Sequence, residues 1–161
     1  MLHYIDDEED VFWCLFKIML KLDWRLFYCE GMQRAHDAQT SVTMILEMKF
    51  SDIFGILDPS TTFAICQSIS INLIMSIYTV KVPLEISKRI FEYWLYRNDG
   101  EECLFDLLEI LLIRTRAKML KMDEDELYRY LIDHQFVVDC FNECKGTPDW
   151  LEIWAYRSYT S

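Results

Sequence analysis

Asp6-Asp7-Glu8-Glu9-Asp10-Val11-Phe12-Trp13-Cys14 reads as the opening of an amphipathic helix. Asp6 or Asp7 supplies the cap, and Glu9 and Asp10 fall in the first turn, where carboxylates meet backbone N–H groups that have no partner inside the helix. Val11, Phe12, Leu15, Phe16, Met19 and Leu22 follow at helical spacing, and Lys17 and Lys21 come late. That order of charge suits the helix dipole.

Asp23 to Met32 is aromatic and broken by Gly31, so it reads as a packed loop or short turn. A helix is predicted from about Ala35 to Lys49, with Val42, Ile45 and Leu46 on its apolar face and Met48 beside them. Phe50 to Leu57 reads as one further turn, stopped by Asp58-Pro59-Ser60. An uncharged helix is expected over Thr62 to Thr79, although Ser68-Ile69-Ser70-Ile71 alternates as a strand would. Pro83 is expected at the first position of the next helix, Leu84 to Tyr96, whose face carries Ile86, Ile90, Phe91, Trp94 and Leu95. After Asn98-Asp99-Gly100, another begins near Glu101 with Leu104, Leu107, Leu108, Leu111 and Leu112, and closes on Arg114, Arg116, Lys118 and Lys121 as a solvated basic end. Asp123 and Glu126 form a capping box for a helix continued by Leu127, Tyr130, Leu131, Phe136 and Val137, and Thr147-Pro148-Asp149-Trp150 opens a last short one.

The composition agrees. Of 161 residues, 52% are hydrophobic and 15% aromatic, which is enough for a sizeable core, while four Gly and three Pro are too few for the turns of a sandwich or barrel. The expectation is an all-α fold, a single compact lobe of seven to nine helices.

Charge and chemistry exclude several classes of function. A net charge of −11 disfavours nucleic acid and anionic membrane surfaces, since both draw affinity from Lys and Arg. Pro59 to Val80 carries no charge, but Gln67, Ser68, Ser70, Asn72, Ser76 and Thr79 would all have to enter hydrocarbon, so it reads as a buried helix and not a transmembrane segment. Cys14, Cys29, Cys66, Cys103, Cys140 and Cys144 are scattered among apolar residues, the pattern of reduced core thiols. Met1-Leu2-His3-Tyr4 runs straight into acids without a secretory pattern, and the location expected is cytoplasmic, peripheral to membranes or cytoskeleton only through partners.

The acidic clusters Asp6 to Asp10, Asp99 with Glu101 and Glu102, and Asp123 to Glu126 all coincide with helix starts, so capping explains them without a calcium site or a catalytic carboxylate pair. Cys140, Cys144 and His134 lack a fourth zinc ligand, and His3, His36 and His134 have no partner motif. No Gly-rich phosphate loop is present. The expectation is no catalytic residue, no cofactor and no metal.

With its helices placed, the sequence resembles the C-terminal half of a TBC domain, the helical module of Rab-family GTPase-activating proteins. Asp7-Glu8-Glu9-Asp10-Val11-Phe12-Trp13-Cys14-Leu15 is similar to that family's acidic Phe-Trp helix start, and Phe27-Tyr28 with Gly31-Met32 to its aromatic pair and Gly-Met. Ile74 to Tyr78 with Val82-Pro83-Leu84 resembles its buried helix and Leu-Pro-Leu turn, and Arg89 to Leu95 its Arg-Ile-Trp/Phe-Asp segment, with Glu92 in place of Asp. The likeness spans residues 1 to about 131 and leaves 132–161 as a helical extension packed on it.

What the resemblance implies is regulation of a Rab-type GTPase in vesicle traffic. The family's catalytic fingers, an Arg in I-x-x-D-x-x-R and a Gln in Y-x-Q, precede the Phe-Trp helix, and neither motif occurs in this chain. Tyr28-Cys29-Glu30-Gly31-Met32 is one residue from Tyr-Cys-Gln-Gly-Met, but it follows that helix, and Glu30 cannot replace an amide that orients water beside a phosphate. Arg25, Arg89 and Arg97 match no finger position. A binding partner without GTPase-activating chemistry is therefore expected, its finger-bearing half lying elsewhere or lost. The alternative is a structural or scaffold subunit of a cytoskeletal or ciliary assembly, docked through exposed apolar surface, with Trp150, Trp154, Tyr156 and Tyr159 either joining that contact or packing locally on the core.

Overall fold

The computed structural model describes residues 7–97 and 99–143. They form α1 (Glu8–Lys21), a 3-10 turn (Trp24–Phe27), α2 (Gln33–Lys49), α3 (Ser51–Phe54), α4 (Pro59–Ile69), a π-helical segment (Ser70–Met75), α5 (Leu84–Arg97), α6 (Glu102–Met119), α7 (Glu124–Ile132) and α8 (Gln135–Glu143). No strand occurs among them, so the alternating Ser68 to Ile71 stretch is helical.

The helices form where their caps and apolar stripes dictate. Asp7 accepts from the backbone N–H of Glu9 at 2.8 Å and of Asp10 at 3.1 Å, opening α1. Asp58 does the same for Ser60 and Thr61 and also accepts both hydroxyls, which holds its carboxyl well below the usual range. Pro59 at the first position of α4 loses no helical bond there. Asp123 and Glu126 make the full capping box of α7.

The rod of α4 and its π-helical continuation packs against α2, α6 and α7, and α6 packs against α5 and α8. Leu104, Leu107, Leu108, Leu111 and Leu112 are all buried, so the leucine spacing of α6 faces the core as its period requires. Trp24 and Trp94 meet edge to face at 5.1 Å beneath the turn.

Four expectations need correction. α2 begins at Gln33, ahead of Ala35, and Met48 is 75% exposed, turned away from the face formed by Ala38, Val42 and Leu46. Pro83 stands one residue before α5 instead of at its first position; its carbonyl accepts from Ser87 N. The helix expected to run through Phe136 is two helices, because His134 adopts a left-handed φ of 55°. The largest difference lies in α1, where only Ile18 is buried, while Phe12, Trp13, Leu15, Phe16 and Leu20 are exposed. Periodicity identifies an apolar face but not what covers it.

No helix among the described residues is long and apolar enough to cross a membrane. The helix expected near Thr147 and the tail residues Trp150, Trp154, Tyr156 and Tyr159 lie outside the described residues.

Candidate functional site

Between α1, the 3-10 turn and the start of α5 lies a cleft of about 520 Å³. Leu15, Ile18 and Met19 of α1 form one wall, and Val82, Leu84 and Phe91 form the other. Trp24 closes it below, with its indole N–H donating to the Met75 carbonyl at 3.1 Å. Such a volume suits an apolar side-chain cluster of a partner or a small ligand.

The remaining wall is the segment that follows the π-helical turn. Ile77, Tyr78 and Lys81 have φ of 54°, 55° and 59°, left-handed values that carry about 1–2 kcal/mol of strain apiece for a residue with a Cβ. Surrounding bonds hold them there. Tyr78 N reaches back to Leu73 O at 2.7 Å, and its buried hydroxyl donates to Leu104 O at 3.3 Å. The Ser87 hydroxyl sits 2.8 Å from Tyr78 O and 3.2 Å from Val82 O, tying the segment to α5. Burial pushes the Tyr78 phenol well above its ordinary value, so it remains a neutral donor.

Chemically this is a place for binding. Among the described lining residues Lys88 is the one ionisable group other than Tyr28, and no carboxylate, His or Cys accompanies it. Neither a nucleophile with its base nor a metal ligand set is assembled there.

The described acidic, Cys and His candidates weighed from sequence lie outside this cleft. Asp99 pairs with Arg97 at 2.6 Å, and Glu101 with Arg34 at 2.5 Å. Cys140 is buried with its thiol on Leu111 O, and His134 is buried with Nδ1 on Leu131 O, while Cys144 and His3 lie outside the described residues. Among the described residues no group of His, Cys, Asp and Glu could hold a metal. Cys14 is half-buried and Cys29 exposed, so these two are not the core thiols expected; Cys66, Cys103 and Cys140 are. His36 is exposed.

Arg25 lies near Asp23 at 3.7 Å, Arg89 stacks over Phe141, and Arg97 is also bonded to the Tyr93 hydroxyl. Part of the basic end of α6 is paired, with Arg116 bridging to Asp52 at 2.7 Å and Lys118 to Asp139. Of the Tyr28 to Met32 near-match, Tyr28 lines the cleft and Glu30 is exposed. Sequence reading missed Ser87 and the strained segment, because neither Gly nor Asn marks a left-handed turn between Ile77 and Lys81.

Set against known families, residues 1–128 match the family model described as the Rab-GTPase-TBC domain. No curated protein and no solved structure matches the chain.

Proposed function

The chain belongs to the RabGAP-TBC family, and from that premise we propose that it is a regulatory lobe that binds a Rab-type GTPase through the α1–α5 cleft without accelerating its hydrolysis. The observation that carries the reading is the lining of the cleft. Phosphoryl transfer needs a cation against the developing charge and a group to orient water; among its described lining residues this cleft has one cation, Lys88, and no side-chain amide or carboxylate to orient water. Neither finger motif occurs in the sequence, which supports the same reading. Membership of a family does not by itself fix activity.

A panel of Rab-type GTPases tests this with the whole chain. Binding should be measurable for at least one nucleotide state and weaken about tenfold in Leu84→Asp, which sets a charge on the rim of an apolar groove. The hydrolysis rate should stay at its intrinsic level. Acceleration that disappears on replacing an Arg of this chain would refute the proposal.

The exposed apolar residues of α1 favour a second reading, a structural subunit held in a permanent assembly, since obligate interfaces are the more hydrophobic ones. Failure to bind any GTPase, together with stable co-purification of one partner through α1, would select it.

A further inference from the structure

α1 carries two apolar faces. Leu15, Ile18 and Met19 line the cleft, whereas Phe12, Trp13, Phe16 and Leu20 point about a third of a turn away at 3.6 residues per turn and are 57%, 49%, 46% and 45% exposed. The outward set is already organised. Phe12 and Trp13 meet at 5.3 Å, Trp13 and Phe16 at 5.7 Å, and the Trp13 indole donates to Glu9 at 3.4 Å.

Beside this stripe runs a charged strip. Asp10, Lys17 and Lys21 fall within about 40° of one another around the helix, the acid at its start and the two cations near its end. We propose that the outward stripe of α1 is a self-association surface that pairs antiparallel with the same helix of a second copy of this chain.

Charge selects this occupant. In an antiparallel pair related by a twofold axis, the same flank of both helices meets. With the axis between Trp13 and Phe16, Trp13 of one copy lies over Phe16 of the other, and Asp10 of each reaches Lys17 and Lys21 of its mate. The helix dipoles also run opposed. A parallel pairing would turn the opposite flank of the mate, which carries Glu8, Leu15 and Met19, toward this strip and leave Asp10 without the lysines.

Size sets the strength. A helix of 14 residues is about 21 Å long, far short of what a standard interface of about 800 Å² per partner requires. The dimer is therefore weak and dependent on concentration.

Sedimentation equilibrium of the whole chain across the micromolar range tests this. A monomer–dimer equilibrium is expected. Asp10→Lys should weaken it about tenfold or more, as should Lys17→Glu with Lys21→Glu, while an equimolar mixture of the two variants should recover dimer to within a few-fold of wild type. All three substitutions are at exposed positions, so the fold is retained. A chain that stays monomeric throughout would overturn the proposal, as would self-association indifferent to both reversals or unrepaired by mixing. GTPase binding at the cleft is read separately on the same variants, so loss of either property is distinguishable from loss of the other.

Discussion

Arg34 and Glu101, 67 residues apart, meet with Nε 2.6 Å from the carboxylate, in a pair only about a fifth to a quarter exposed. The same guanidinium donates to the carbonyls of Leu22 and Asp23 and lies over the rings of Trp24 and Phe27. One side chain thus pins the end of α1 and the 3-10 turn to the start of α6. Arg34→Ala strands a partly buried carboxylate and should destabilise by about 2–3 kcal/mol, the low end for breaking such a pair because some water reaches it. Arg34→Lys should recover less than half, since an ammonium cannot serve the fork and the stack together. Urea midpoints at constant m-value measure both.

His134 makes stability depend on pH. It is fully buried, its Nδ1 must donate to the Leu131 carbonyl, and Nε2 has no partner among the described residues. Burial lowers its pKa from 6.5 to about 4, outweighing the bond to Leu131, with Lys81 lowering it further and Asp133 opposing. The unfolded chain therefore takes up the proton first. The contribution is fully present above pH 6.5 and is lost as pH falls from there to about 4, up to about 3 kcal/mol in all. Asn tolerates the left-handed backbone, so His134→Asn should flatten the slope of unfolding free energy between pH 6.5 and 4.5. An unchanged slope would refute the assignment.

The elements that sequence places correctly are those with local causes. The Asp123 capping box and the leucine stripe of α6 depend on residues three or four apart, and such spacings are visible in a string of letters. The break at His134 was invisible because a left-handed histidine carries no Gly or Pro signature. The exposure of Phe12 and Phe16, the Arg34–Glu101 contact and the cleft depend on what other elements cover, and no local period encodes that.

Ser87 should control the mobility of the cleft wall. Its hydroxyl serves two carbonyls of the segment that holds Ile77 and Tyr78 left-handed. Ser87→Ala leaves a buried carbonyl short of a donor at about 1–3 kcal/mol. Because strain is stored in that segment, the loss should appear locally. Hydrogen exchange should speed up at Ile77, Tyr78 and Val82 by more than it does at the α6 amides. Equal acceleration across both regions would show that Ser87 supports the whole fold and not this wall.

Met32 offers a prediction of the opposite sign. It holds φ at 45° directly before α2, with 42% of its surface exposed, so the left-handed backbone carries a strain that little packing offsets. Asn visits this region far more readily than Met, and unlike Gly it adds little freedom to the unfolded chain. Met32→Asn should therefore stabilise by about 0.5–1 kcal/mol, read as a higher urea midpoint at unchanged m. The donors of Ala35 and His36 already bond the Met32 carbonyl, a backbone group the substitution leaves in place. A loss of stability would mean that the Met32 side chain packs on a partner surface or within the turn, making its contacts worth more than its strain.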